Sequence, residues 1–352
     1  MEGNFRWAGV DTSTRAYAIC VVDQFGVVID EADLPARAAD ADAYLSSFST
    51  DLMGIALETG TTSIHLSRAL AAQGYPVAVY DAFKVHRFLQ LRRNKTDSND
   101  AKGLAEIARI GGAQLPQVYI KPVQLSVLRS KLVICDRLIK MRKVNEGAMM
   151  SLLHSFGVRG DGRVSSATSL RRIVGKMIRT AERAYDVPIR QLVAPLLSLS
   201  IHLRREERRF EKEIMEYATK DETCRRLMEI PGVGPITAVS FVTAIGDPSR
   251  FEKAVNVGAY LGLTPKIWRT GVYSRNRRIS KLGSSLTRKH LHGAARQALD
   301  SRTASPLQTW ARELAERTNR RRAIIALARK LAVVMLTIWK NGSRFDFSHR
   351  KT

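Results

Sequence analysis

Acidic residues are scarce in this chain of 352 residues: 33 Asp and Glu stand against 57 Lys and Arg, a formal net charge of +24. That imbalance asks for a polyanionic partner, either nucleic acid or an anionic membrane. Long hydrophobic runs are missing as well. The longest apolar stretch, Ala323 to Trp339, is interrupted by Arg329 and Lys330 and is too short to span a bilayer comfortably, so nucleic acid is the expected partner and no membrane association is expected. The opening MEGNFRWAGVD has no basic start followed by an apolar run, so no signal peptide is read and a cytoplasmic setting is expected. Cysteine is rare too. Cys20, Cys135 and Cys224 are far apart and form neither a disulfide framework nor a zinc pattern, which fits a reducing compartment and small buried hydrophobes.

What is present is a globular composition, with 45% hydrophobic residues and a length that suggests two or three domains. The charge is split along the chain. Residues 1–110 sum to −3 and residues 111–352 to +27. The first part is therefore able to concentrate carboxylates for cations, while the second neutralises phosphates.

The first part alternates strand and helix signals. Phe5 to Val10, Ala16 to Val22 and Val27 to Ala32 read as three strands with short polar or Gly-containing turns. Ala38 to Phe48 reads as a helix, Met53 to Leu57 as a strand, Ile64 to Ala72 as a helix and Val77 to Tyr80 as a strand. Asp97 to Arg109 reads as a further amphipathic helix with Thr96 as its N-cap. This element order is that of ribonuclease-H-like folds. From Lys121 to about Asn145, apolar residues such as Leu125, Leu128, Leu132, Cys135 and Ile139 recur at three and four, predicting a long basic helix. A second long charged helix is predicted between Ile201 and Met228, after a less regular basic stretch from Gly157 to Arg172. The two form either a coiled-coil-like arm or a plain helical hairpin. Ile230-Pro231-Gly232-Val233-Gly234-Pro235 then reads as a tight turn between helices, and IPGVGPITA resembles a helix-hairpin-helix element. In such an element Gly232 and Gly234 let backbone amides approach a phosphate.

Four carboxylates stand at informative places. Asp11 follows the first strand, Glu58 ends MGIALE, and Asp97 and Asp100 are three apart on one helix face. In the fold just read, the ends of the first and fourth strands are neighbours and the last helix packs across them. Convergent carboxylates persist only where cations offset their charge. Mg²⁺ suits such oxygen ligands, and two ions suit a phosphodiester reaction. Metal-assisted phosphoryl transfer on DNA follows as the expected chemistry. The bland readings are a turn-forming aspartate for Asp11 and helix-dipole partners for Asp97 and Asp100. GVDTST also resembles the first phosphate loop of sugar kinases and actin-like ATPases, but the second Asp-Gly loop and the glycine-rich adenosine segment of those chains are not found.

Residues 265–289, PKIWRTGVYSRNRRISKLGSSLTRK, hold eight Lys and Arg and no acid. Lys266, Arg269, Arg275, Arg277, Arg278 and Lys281 supply charge, and Trp268 supplies stacking surface, for a nucleic acid. Hydroxyls in the same segment, Thr270 and Ser274 among them, are candidate nucleophiles toward phosphate. Arg321, Arg322, Arg329 and Lys330 lie on a final amphipathic helix, as further phosphate contacts or as a solvated face.

The motifs GVDTS, ALETG, RNKTDSNDAKGLAEI, IPGVGPITA, AYLGLTPKIWRTG and RISKLG followed by LHGAA occur in that order. Together they closely resemble the DEDD transposases of the bacterial insertion-sequence 110 family, relatives of the pilin-gene invertase. The resemblance runs from about residue 5 to residue 345 and is weakest between 150 and 200. It implies a RuvC-like DEDD domain over 1–115, with Asp11, Glu58, Asp97 and Asp100 holding Mg²⁺, two ions for which Mn²⁺ is able to substitute. It implies a long-helix, coiled-coil segment over 120–228 and a mostly helical transposase domain over 229–345. The implied activity is cleavage and exchange of double-stranded DNA that moves an insertion sequence, guided by a structured non-coding RNA. It also implies a homo-oligomer, dimer or tetramer, in which one subunit's transposase domain meets another's RuvC-like domain, acting at the nucleoid. The family's serine nucleophile follows GLTP in a Ser-Gly step. Here that position is Thr270, whose hydroxyl is retained but whose added methyl stiffens χ1, and Ser274 is the nearest serine downstream. The other readings are a junction-resolving endonuclease of the same fold, and a transposase-derived nucleic-acid-binding protein without catalysis.

Overall fold

The computed structural model describes residues 4–90, 96–110, 116–270, 273–301 and 305–346, and for 267–270 and 273–277 the backbone alone. The chain divides into two compact units, Met1–Lys121 and Pro122–Thr352. The first is mixed α/β and the second mostly helical.

In the first unit β1 (Arg6–Thr12), β2 (Ala16–Asp23) and β3 (Val28–Pro35) form an antiparallel meander. Short-range hydrogen bonds shape its turns. Ser13 Oγ accepts from the amides of Arg15 and Ala16, and an Asp23 carboxylate oxygen accepts from those of Phe25 and Val27. After α1 (Ala38–Ser46), β4 (Leu52–Glu58) returns beside β1 and parallel to it. After α2 (Ser63–Ala72), β5 (Val77–Tyr80) adds parallel to β4, followed by α3 (Ala82–Leu89) and α4 (Asp97–Ile110). The sheet order is β3-β2-β1-β4-β5.

Because side chains alternate across a strand, the sheet has two apolar faces. Ala8, Val10, Ile19, Val21, Ile55 and Leu57 pack under Ala41 and Leu45 of α1 and Leu66 and Leu70 of α2. On the opposite face Ala18, Cys20 and Val22 meet Ala101 and Ala105 of α4, while Ala56 and Tyr80 meet Leu104 and Ile107. The sequence missed α3. It has two turns and a single buried residue, Val85, too little for a period to show.

In the second unit α5 (Val123–Ser155) and α7 (Ile189–Lys220) lie antiparallel. Lys131 pairs with Glu213, Arg142 with Glu207 and Glu146 with Arg204, so rising numbers on one helix meet falling numbers on the other. Between them in sequence, α6 (Ala167–Tyr185) covers the far ends of both, burying Leu170, Val174, Met177 and Ala181 against Met149, Leu153 and Val193. The basic stretch from Gly157 to Arg172 thus ends in a helix, nucleated by a capping box between Ser166 and Ser169. The second long helix begins earlier than its period indicated and runs through Pro195. It stops at Asp221, whose carboxylate caps α8 (Glu222–Met228).

A second core forms around α9 (Pro235–Ile245), where every residue from Ala238 to Ile245 is buried, as expected of a central helix apolar all round. The same core takes in α10 (Asn256–Tyr260), α11 (Ser285–Asp300), α12 (Pro306–Arg317) and α13 (Arg320–Asn341), with Ile279 from the hairpin of β6 (Pro265–Thr270) and β7 (Tyr273–Ile279) against it. The basic segment is therefore a registered hairpin whose alternation is masked by cations. No helix among the described residues is long and apolar enough to cross a membrane.

Candidate functional site

Strand register brings the first two candidate carboxylates together. Val10 of β1 pairs with Leu57 of β4 in parallel register, so Asp11 and Glu58, one residue further on, sit side by side at the same strand end. Asp11 shares its face of β1 with Gly9, and Glu58 shares its face of β4 with Ala56, because side chains alternate. Both positions therefore lie on the α4 side of the sheet. Asp11 is within β1 rather than just beyond it, and both residues are half-buried.

α4 runs over these strands in the opposite sense. A Cβ on Gly54, near the start of β4, would lie 3.9 Å from the Ala108 side chain, whereas one on Gly9 would meet Ala101 and Ala105. The beginning of α4, with Asp97 and Asp100, therefore points toward the end of the sheet that holds Asp11 and Glu58. Thr96 caps the helix, its hydroxyl accepting from the Asn99 amide at 3.2 Å. Asp97 is exposed and Asp100 half-buried. The loops that follow β1 and β4 are tied together: Thr62 Oγ1 donates to the Ser13 carbonyl at 3.0 Å, and the Gly60 amide donates to Ser63 Oγ at 2.6 Å. Thr59 joins the β5 end, its amide donating to the Tyr80 carbonyl and its hydroxyl accepting from Ala82. Among the described residues, no three His, Cys, Asp or Glu side chains stand close enough to share one metal ion, and Asp11 and Glu58 each have interaction partners. The backbone thus gathers the four positions at one edge without closing their carboxylates into a ligand set.

The C-terminal candidates are distributed unevenly. Gly232 has φ +85°, and a Cβ there would lie 2.4 Å from the Ala294 carbonyl oxygen of α11, so this glycine is needed for packing. Gly234 differs. It precedes α9, and nothing lies within 4 Å of where its Cβ would stand, which leaves room at that helix start. Lys266, Arg278 and Lys281 are exposed. Trp268, Arg269 and Thr270 lie in β6 and Ser274, Arg275 and Arg277 in β7, with Thr270 paired to Tyr273 and Ser274 to Arg269 by backbone register. Their side chains are outside the described residues.

All three cysteines are buried and none is in a disulfide. Burial pushes the Cys135 thiol up to about 11 and raises that of Cys224 further, so neither is a nucleophile at neutral pH. Sequence reasoning missed the glycines that hold the GLTP and SKLG motifs together. A Cβ on Gly262 would lie 2.1 Å from the Leu282 carbonyl oxygen, and one on Gly283 2.2 Å from that of Tyr260. It also missed Arg129, whose guanidinium donates to the hydroxyls of Ser284 and Thr287 at the start of α11.

Two family models match this chain. One, described as a transposase of the IS110 DEDD type, matches residues 8–157, and the other, the transposase IS116/IS110/IS902 family, matches residues 224–311. A transposase for insertion sequence element IS1111A from Coxiella burnetii is 28% identical over 334 residues, covering 93% of this chain and 87% of its own. A probable family 20 transposase from Pseudomonas aeruginosa is 23% identical over 94% of this chain and 96% of its own. A transposase for insertion sequence element IS1328 from Yersinia enterocolitica is 26% identical over 83% and 85%. The protein is thus a transposase of the DEDD class. It belongs to the IS110 family.

Proposed function

We propose that this chain recombines the ends of an insertion sequence with target double-stranded DNA, using Mg²⁺ held by Asp11, Glu58, Asp97 and Asp100. One observation carries the reading: adjacent parallel strands put Asp11 and Glu58 at one edge, on the face where α4 begins with Asp97 and Asp100. The sheet order β3-β2-β1-β4-β5 supports a ribonuclease-H-like domain over 1–115. The donor set is all carboxylate oxygen, the chemistry of a hard divalent cation, with Mn²⁺ as a substitute. Held there, such ions would supply positive charge for a phosphodiester reaction.

The chain's own residues supply the rest. In the proposed step the Thr270 hydroxyl forms a bond to phosphorus as the strand's P–O bond breaks. The proton lost from threonine is balanced by the one gained by the released deoxyribose hydroxyl. Ser274 is the reserve nucleophile. Gly234, with open space at the start of α9, suits a phosphate, and the exposed Lys266, Arg278 and Lys281 suit more of them. The long-helix segment is assigned to 120–228 and the transposase domain to 229–345. Along α5 the exposed Val123, Val127, Ile134, Met141 and Val144 recur at heptad spacing, which supports a homo-oligomer. The basic second part also suits a structured guide RNA, and the setting proposed is the cytoplasmic nucleoid.

The test is recombination of a paired donor and target plasmid. Asp11→Ala is expected to abolish the product while leaving DNA binding intact; unchanged product sinks the metal-site reading. Thr270→Ser is expected to keep a covalent protein–DNA adduct and Thr270→Ala to lose it. Free 5′-phosphate ends without any adduct favour the junction-resolving nuclease, and retained binding without metal-dependent product favours a non-catalytic binding protein.

A further inference from the structure

α13 carries two different faces. Ala323, Ile324, Leu327, Ala328, Leu331 and Ala332 are buried in the core. Interleaved at the same helical period, Arg322, Ile325, Arg329, Lys330 and Val333 line a groove of about 1070 Å³. Trp310 of α12 and Arg278 and Lys281, near the foot of the hairpin, complete its rim. Its floor is apolar, built on Leu263, Ile279, Ile325 and Val333. Five cations line it and, among the described residues, no carboxylate does.

Several of those cations are held in place. Lys330 Nζ stands 4.6 Å from the centre of the Trp310 ring. The Arg329 stem lies along α10, where a Cβ on Gly258 would be 3.1 Å from its Cγ. Lys281 occupies the left-handed region at φ +57°, which costs an ordinary residue about 1–2 kcal/mol. Its amide donates to the Gly262 carbonyl at 3.1 Å, inside the glycine-locked approach of the GLTP and SKLG segments. A strained lysine fixed by its surroundings marks a site where position matters.

Two requirements bear on the occupant. Five cations without an acid call for a polyanion, and an apolar floor beside a tryptophan calls for a flat apolar surface. A duplex satisfies only the first, because pairing and stacking hide the faces of its bases. An unpaired strand satisfies both, with phosphates and bare bases in alternation. We propose that this groove binds an unpaired stretch of nucleic acid, phosphates on Arg322, Arg329 and Lys281 and a base against Trp310 and the floor. The proposal rests on the transposase reading only for its choice of polyanion. The groove takes Arg278 and Ile279 from the end of β7, and none of the four candidate carboxylates lines it.

The test uses the full chain and fluorescence anisotropy with labelled oligodeoxythymidylate, oligouridylate and a random-sequence duplex. Trp310→Leu is expected to weaken both single strands about 5- to 150-fold, the worth of one stacked base, and to leave duplex binding unchanged. Arg322→Gln with Arg329→Gln is expected to lower the salt slope for single strands by about 1.4, roughly 0.7 per lost contact. Loss with only one of the two strands identifies the source as DNA or RNA and still supports the groove. A 5-iodouracil strand is expected to crosslink within α12, a readout that needs no variant. Equal weakening of duplex and single strands, wild-type binding by both variants, or crosslinks confined to other segments overturns the proposal. So does unchanged binding with lost self-association in sedimentation, which gives the groove to a second copy. Asp11→Ala is expected to bind single strands normally, so failure of the metal-site reading leaves this measurement untouched.

Discussion

The carbonyl oxygen of Ala101 lies 2.0 Å from the point where a Cβ on Gly9 would stand. β1 and α4 therefore touch backbone to backbone, two residues before Asp11 and one turn after Asp97. Gly9→Ala is expected to push α4 off the sheet, costing about 1–3 kcal/mol or more as overpacking does. Recombination should fall further than stability does, because Asp97 and Asp100 move with the helix. Chemical denaturation and plasmid recombination measure the two effects, and a wild-type midpoint sinks the contact.

The hairpin glycines before α9 are expected to separate. Gly232→Ala places a Cβ against the Ala294 carbonyl at φ +85°, so the melting temperature should drop by several degrees. Gly234→Ala meets open space at φ −93° and should leave melting within a degree or two. If a phosphate docks there, duplex affinity falls all the same. Equal loss of stability in both variants contradicts this division.

Glu146 of α5 accepts from Arg142 at 3.2 Å and from Arg204 at 2.8 Å, with all three side chains at most 16% exposed. Glu146→Ala removes the Arg204 partner and half of Arg142's, leaving guanidinium charge poorly compensated. Removal of one partner from a buried pair costs about 3–5 kcal/mol, and partial exposure reduces that here to roughly 2–3 kcal/mol. Glu206→Ala is the control. Its partner Arg209 is 59% exposed, and a surface pair contributes about 0–1 kcal/mol. Urea midpoints for the two variants check the difference.

Burial lowers His290 to about 4, helped by the neighbouring Lys289, and its Nδ1 has no hydrogen-bond partner among the described residues. The unfolded chain binds this proton near 6.5 and the folded chain only near 4. The stability that comes from keeping His290 neutral is complete above pH 6.5 and is lost as pH falls toward 4. The total is roughly 3 kcal/mol at about 1.4 kcal/mol per unit. In His290→Leu the fall in melting temperature between pH 7 and pH 4.5 should be smaller than in the wild type. An unchanged pH slope rules out this titration.

The strands of the first unit were legible because each face needs apolar residues at period two, and Asp97 opens α4 where the Thr96 cap predicts it. α3 and α6 were not, since one buries a single residue and the other follows a glycine- and serine-rich basic stretch. The β6–β7 hairpin was hidden for another reason. Its pattern is a run of cations, and what pairs its strands is visible only as backbone register. Gly232 was read as a phosphate contact because hairpin glycines often are, and only its distance to Ala294 reveals the packing.

By itself the sequence determined the order of strands in the first unit, the split of charge, the four candidate carboxylates and the family, because periodicity and motif spacing are local properties. Tertiary structure decided which residues meet. It set Asp11 beside Glu58 through parallel register and ran α4 so that Asp97 and Asp100 approach the same edge. It also turned the face of α13 that avoids the core into a basic groove beside Trp310. Those relations join residues tens of positions apart, and no local pattern encodes a distance between them.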